Sequence, residues 1–205
     1  LDQSPSQAIS TGADISICAL CKFRGINGAK RTCYVVVPRG PQSIYRAYAA
    51  GHIPGIPLKA FLPMIAGRGI RFGAYGDPAA VPVSLWRTLA KHATGHTGYT
   101  HQWETAGLQG LVMASTDSAE EYAAAVALGY RSFRTKGKDD PRMPGEISCP
   151  ASAESGKRTQ CDRCRLCDGS KATPAVEDKR ANVAIVAHGP GAIHFVSLTS
   201  LRKAS

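Results

Sequence analysis

The sequence predicts an α/β fold: an abbreviated or irregular parallel (β/α) barrel with a cysteine-rich metal-binding loop. Three observations carry that prediction. Strand-like and helix-like segments alternate with short connections, as βαβ units require. Polar residues fall at the C-terminal ends of the strand candidates, namely Asp77, His101 with Gln102, Ser115 with Asp117, Lys136, Cys149 and His188, and in a parallel barrel such ends meet on one rim. Four of the seven cysteines lie between Cys149 and Cys167, inside a stretch almost free of apolar residues.

The elements follow in order. Thr32 to Val37 is β-rich, and Pro41 to Ala50, bounded by Gly40 and Gly51, has the punctuation of a short helix. His52 to Gly67 is Pro- and Gly-rich and predicts a connector. Gly69 to Tyr75 alternates as a strand, and Val83 to Ala93 has helical spacing through Leu85, Trp86 and Leu89. Gly98 to His101 and Leu108 to Ala114 are short strand candidates. Ser118 with Glu121 makes a capping box that opens an Ala-rich helix to Leu128, which Gly129 stops. Further strands are expected at Tyr130 to Thr135, Glu146 to Cys149, Val183 to His188 and Ile193 to Leu198. The whole chain, 1–205, reads as one α/β domain with the cysteine-rich loop 149–180 embedded in it. At 43% hydrophobic content such a chain buries a core without needing metal for the fold as a whole.

The cysteines form two groups. The late one is Cys149-Pro150 followed by Cys161, Cys164 and Cys167 in the run CDRCRLC. A four-iron cluster spreads its irons apart, so successive turns of a loop can each deliver a thiolate to a different iron. Bacterial ferredoxins use C-x2-C-x2-C with a remote Cys-Pro, and this group resembles that pattern. A single zinc, with Zn–S near about 2.3 Å, more often takes two separate C-x2-C knuckles, so a [4Fe-4S] cluster is the first expectation and zinc the alternative. The early group, Cys18, Cys21 and Cys33, has the spacing C-x2-C-x11-C. It leaves a coordination position open, or closes a zinc site with a histidine, for which His52, His96, His101 and His188 are candidates. Cys33 alternatively packs as a strand residue. All seven cysteines are thus candidate metal ligands.

An odd cysteine number rules out complete intrachain disulfide pairing, and with no apolar signal segment ahead of Cys18 the expected setting is a reducing cytoplasm. No apolar run is long enough to span a membrane. The net charge of +10, from 25 Lys and Arg against 15 Asp and Glu, favours polyanions such as nucleic acid as partners. The basic clusters lack the aromatic interleaving that stacks single-stranded bases, so a solvated basic surface explains them equally well. Asp77, in Tyr-Gly-Asp-Pro, and His101, beside Trp103 and Glu104, are the candidate catalytic residues: a rim carboxylate and a strand-end imidazole able to transfer protons. Each also has a structural reading, Asp77 as a turn cap and His101 as a satisfied core histidine. His92 and His96 fall near the end of the preceding helix, where a cation complements the dipole. Gly189-Pro190-Gly191 lacks a following helix and is not expected to bind phosphate. G-x-S-x-G, P-loop and H-E-x-x-H motifs are missing, so those hydrolase and NTPase classes lose support.

The segments Phe72-Gly73-Ala74-Tyr75-Gly76-Asp77-Pro78, Thr97-Gly98-Tyr99-Thr100-His101-Gln102-Trp103 and Ile147-Ser148-Cys149-Pro150, flanked by the two cysteine groups, resemble a family of uncharacterised phage-encoded cysteine-rich proteins. That family is similar in layout to shortened radical-SAM-type barrels. The resemblance implies a phage origin, a bacterial host cytoplasm, an abbreviated barrel and metal-bound cysteines. Radical-SAM enzymes carry C-x3-C-x2-C, whose open iron takes the amine and carboxylate of S-adenosylmethionine. Here the early spacing differs and no Gly-Gly-Glu-like run follows, so SAM is a cofactor only as far as the resemblance carries it. The expected function is an iron–sulfur protein of phage type with radical-SAM-like or redox chemistry. The alternative is a zinc-stabilised basic protein that contacts nucleic acid or a host protein.

Overall fold

The computed structural model describes residues 2–25, 30–173 and 176–195. Its helices are α1 (Pro5–Thr11), α2 (Ile15–Cys18), α3 (Gly40–Ala49), α4 (Leu58–Ile65), α5 (Val83–His92), α6 (Ala119–Ala127) and α7 (Cys161–Cys164). Its strands are β1 (Gly69–Arg71), β2 (Gly95–Thr97), β3 (Tyr99–Thr100), β4 (Met113–Thr116), β5 (Ser132–Lys136), β6 (Glu146–Ser148) and β7 (Asn182–Val186).

Every strand pairing is parallel: β1 with β2, and separately β3-β4-β5-β7-β6. Only Gly98 separates β2 from β3. Its N–H donates to the Cys167 carbonyl at 2.9 Å and its carbonyl accepts from Met113 at 3.0 Å, so the two sheets are joined through one nearly continuous strand. A Cβ at Gly98 would stand 2.8 Å from Val112 Cγ1 and 3.1 Å from Phe72 Cβ, so this junction needs glycine.

The predicted α/β class with parallel strands is therefore observed. The order β5-β7-β6 departs from the sequential succession of a barrel, because the chain leaves edge strand β6, runs through the cysteine loop and returns as β7 against β5. Among the described residues the strands form an open sheet.

Alternation along the strands sorts the core onto two faces. Ala114 packs with Trp103, Ala125 of α6 and Tyr130, whereas its neighbour Met113 packs with Phe133, Val183 and Cys149 on the other face. A third cluster, Ile65, Phe72, Leu89, Leu108 and Val112, joins α4 and α5 to the β1 end. Helix α6 starts as the sequence predicts: Ser118 Oγ accepts from Glu121 N–H at 3.0 Å, and Glu121 accepts in return from Asp117 N–H at 2.6 Å.

Four local expectations fail. Thr32 to Val37 runs without strand pairing; the Cys33 N–H instead donates to the Phe23 carbonyl. The connector His52 to Gly67 contains α4, whose Pro63 lies inside the helix. Its Phe61, Leu62 and Ile65 reach the β1-end cluster, so burial overrides the proline penalty. Leu108 to Val112 is a turn and β4 starts at Met113. Ala192–His194 is a short 3₁₀ turn rather than a strand, and residues 196–198 of that candidate lie outside the described residues.

Candidate functional site

Parallel pairing brings the C-terminal strand ends to one side of the sheet, the usual location of sites in open α/β folds. A cavity of about 90 Å³ lies there, lined among others by Cys18, Cys21, Cys33, Tyr75, Tyr99 and His101. The early cysteines, distant in sequence from His101, are thus carried to the ends of β3, β4 and β5.

Local backbone bonds build this corner. Cys18 ends α2, and the Cys21 N–H donates to its carbonyl at 3.1 Å. Thr32 and Cys33 both donate to the Phe23 carbonyl, at 3.1 and 3.0 Å, which returns the chain beside the C-x2-C turn. Below it, buried Asp14 is paired with Arg24, whose Nε donates to Oδ1 at 3.1 Å, and with Arg31 at 3.4 Å. Burial, then the neighbouring Cys21 and Asp14, push the Cys18 thiol up to about 12; Arg31 opposes them and Cys33 adds to them.

His101 faces the same cavity, with its ring 5.0 Å from that of Phe23 in an edge arrangement. Its Nε2 is buried without a hydrogen-bond partner and lies 3.6 Å from Asp117 Oδ2, an ion-pair distance. Burial pulls the imidazole down, but Asp117 and the Cys21 thiol beside it carry its pKa up to about 10. Asp117 is held by Lys22 at 2.8 Å. Of the other histidines, His52 and His188 are exposed, and His96 stacks on Phe72 with ring centroids 4.9 Å apart.

Asp77 is fully engaged as a structural cap. Its carboxylate accepts from Ala79 N–H at 2.9 Å, Thr100 Oγ1 at 2.5 Å and His101 N–H at 2.8 Å. It is a positioning residue: it ties the end of β1 to the end of β3 and sets where His101 begins.

The late cysteines lie elsewhere, two of them on the face that carries Met113, Phe133 and Val183. Cys149 and Cys167 pack into that cluster beside Tyr99, while Cys161 is exposed on α7. Burial pushes the Cys167 thiol up, and Cys149, Cys161 and Cys164 push it further against the pull of Arg131. Burial also raises Cys149, with a backbone hydrogen bond from Ala151 opposing and Cys161 and Cys164 adding. Four thiols separated in sequence thus stand within electrostatic reach of one another.

Arginines fasten the loop. Arg131 donates to the carbonyls of Leu166 at 2.6 Å and Ala181 at 2.5 Å. Arg165 donates to the Thr94 carbonyl at 2.7 Å, and Arg180 bonds Asp168 at 2.6 Å and Asp178 at 2.6 Å. Gly169, at φ +82°, has Gln109 O and Leu111 N each 2.6 Å from where a Cβ would stand, so the loop closes tightly on the turn that precedes β4. These polar bonds contribute to the order of the segment.

Between the two groups lies Arg71. It donates to the hydroxyls of Tyr34 and Tyr99, and Cys161 and Cys167 are near enough to act on its charge. Tyr99 in turn stacks on Phe133 with ring centroids 4.2 Å apart. Sequence reasoning missed Arg71, Tyr34, Asp14 and Arg131. Only the strand-end position of Asp117 hinted at its partnership with His101.

The predicted ligands therefore gather as two sets, Cys18/Cys21/Cys33 with His101 and Cys149/Cys161/Cys164/Cys167. Among the described residues no group of three or more His, Cys, Asp or Glu side chains is arranged to hold a metal ion, so coordination would need side-chain rotation. The donor chemistry fits: no cysteine is in a disulfide, thiol is the predominant donor, and the His101 imidazole lines one cavity with the three early cysteines. No helix among the described residues is long and apolar enough to cross a membrane. Comparison with protein-family models, curated proteins and solved structures finds no match.

Proposed function

We propose that this chain is an iron–sulfur protein of phage type, acting in a bacterial cytoplasm, whose late cysteines hold a [4Fe-4S] cluster. The observation that carries the reading is the gathering of four cysteines outside any disulfide, Cys149 and Cys167 packed in one cluster and Cys161 and Cys164 within electrostatic reach of them. Clustered thiolates repel, and a bound cationic centre relieves that repulsion. Such a cluster supplies one-electron chemistry when bound. This chain's own residues would tune it: Met113, Phe133 and Val183 keep water from Cys149 and Cys167, while Arg71 and Arg131 place positive charge nearby.

On this reading the cavity at the strand ends of the open sheet is where a redox or radical-SAM-like reaction would be housed. His101 would exchange protons there while Asp77 fixes its backbone. Anaerobically purified protein is expected to be brown, with about four irons and four sulfides per chain, and Cys161→Ser with Cys164→Ser to lose most of both. Colourless folded protein with stoichiometric zinc and no iron would overturn the proposal.

A second reading has its own observation. Lys157, Arg158 and Arg163 line a groove with Ser152, Thr159 and Gln160 and, among the described residues, no acidic one. This arrangement favours a zinc-stabilised loop that contacts nucleic-acid phosphates, and neutralising the three cations should then flatten the salt dependence of binding.

A further inference from the structure

We propose that Cys18, Cys21, Cys33 and His101 form a second, closed site of three sulfurs and one nitrogen for a single zinc-like divalent cation, with Asp117 orienting the imidazole. This goes beyond the iron–sulfur reading, since it concerns the other cysteine group and stands whether or not the late group takes iron.

The sequence left four histidines as possible fourth ligands; the fold selects one. His101 is the histidine that lines the cavity with all three early cysteines, and its Nε2 is buried without a hydrogen-bond partner. That nitrogen is the one nearest Asp117, so it orients the ring rather than standing vacant as a ligand. The scaffold is also suited to a small tetrahedral centre. The C-x2-C pair sits on one tight turn and the third cysteine is anchored by its own N–H to Phe23, two residues past Cys21. Structural zinc is commonly held by such a knuckle with one cysteine and one histidine added from elsewhere.

The surroundings match the second requirement of a metal-bound histidine, an acid that orients the ring. Asp117 Oδ2 lies 3.6 Å from Nε2, and Lys22, one residue past Cys21, holds that carboxylate at 2.8 Å. With Nε2 turned toward Asp117, Nδ1 is the ring nitrogen left to bind the cation, and the Cys21 thiol acts on the same imidazole. Asp77 fixes the His101 backbone from the other side at 2.8 Å. Ligands from the N-terminal segment and from the end of β3 would thus be tied by one ion. The local charge favours it as well: three thiolates and one imidazole around a divalent cation leave about −1, and Arg31 lines the same cavity.

A closed site has no position for S-adenosylmethionine. The early group then serves to lock the N-terminal segment over the strand ends rather than to run chemistry.

The test uses the full chain carrying Cys161→Ser and Cys164→Ser, titrated with cobalt(II) as a spectroscopic probe and then with zinc. One equivalent of tetrahedral thiolate–imidazole cobalt is expected, displaced by zinc, with Cys18, Cys21 and Cys33 then protected from alkylation. Asp117→Asn should weaken binding roughly 10- to 100-fold, His101→Ala should weaken it further, and His101→Cys should restore it with an all-sulfur spectrum. Cobalt affinity unchanged in His101→Ala, or no uptake by chain whose thermal unfolding remains cooperative, would overturn the proposal. If the Ser variants fail to fold, the same titration on iron-depleted wild-type chain, read by protection of the three early cysteines, decides the same question. Iron content of the unaltered chain separately decides the late-group reading.

Discussion

At the scale of single residues, the strongest constraint outside the cysteines is the buried pair Arg134–Glu146. Both side chains are almost fully buried, at 3% and 0% exposure, and they bond in bidentate fashion, Nε to Oε1 at 2.8 Å and Nη2 to Oε2 at 2.6 Å. Arg134 also donates to the Pro141 carbonyl, and Glu146 accepts from Met143 N–H. The pair therefore fixes the 141–146 turn that delivers β6, and with it Cys149. Removing one charge leaves the other buried and uncompensated. Glu146→Gln is expected to cost about 3 kcal/mol by urea denaturation, whereas Arg134→Met with Glu146→Leu should cost far less, because it removes both charges together. Equal losses in the two variants would show that the pair acts by shape rather than charge.

At the scale of elements, legibility in the sequence follows the origin of each element's stability. Helices α3, α5 and α6 carry local signals, and α6 is capped by the Ser118 and Glu121 that mark it in the sequence. Helix α4 has none, since its proline and the Pro/Gly-rich context oppose helix locally and only burial of Phe61, Leu62 and Ile65 decides the outcome. The cysteine groupings were legible because metal-ligand spacing is local. The arrangement of the cysteine loop was not, because it depends on partners far away in sequence, Arg131 above all and the Thr94 carbonyl that Arg165 reaches. Charge-assisted bonds in that loop also make it acid-sensitive. Arg180 holds the Asp178 carboxyl well below the usual carboxylate range, burial opposing it. A depressed folded-state pKa contributes stability that is fully present above the unfolded value of about 3.9 and is lost as pH falls through the lower folded value. Amide exchange in 168–173 and 176–181 should therefore accelerate only as pH drops below about 4, and Arg180→Gln should remove that dependence while leaving β4 and β5 unchanged. Exchange that accelerates equally across the sheet would mean that the loop has no separate acid transition.

At the scale of the whole molecule, the sheet and its cysteine sites have different sources of order. The three core clusters draw on Phe72, Leu108, Val112, Met113, Ala114 and Val183, each at most 1% exposed, and only Cys149 among the cysteines is central to one of them. Apolar burial scales with the area removed from water, so the sheet retains most of its stability when the thiols carry no metal. The cysteine loop has little such burial and relies on polar bonds, and the N-terminal segment reaches the strand ends through the Lys22–Asp117 pair, the bond from Asp77 N–H to the Ile17 carbonyl and the cavity around Cys18. Chelation under reducing conditions is thus expected to leave far-UV circular dichroism and a cooperative unfolding transition largely intact. It should at the same time expose Cys161, Cys164 and the early cysteines to alkylation and admit protease cleavage between Pro150 and Lys171. Global loss of the unfolding transition on chelation would instead make metal binding and folding a single event, as in small zinc domains, and would mean that the core clusters cannot hold the sheet together alone.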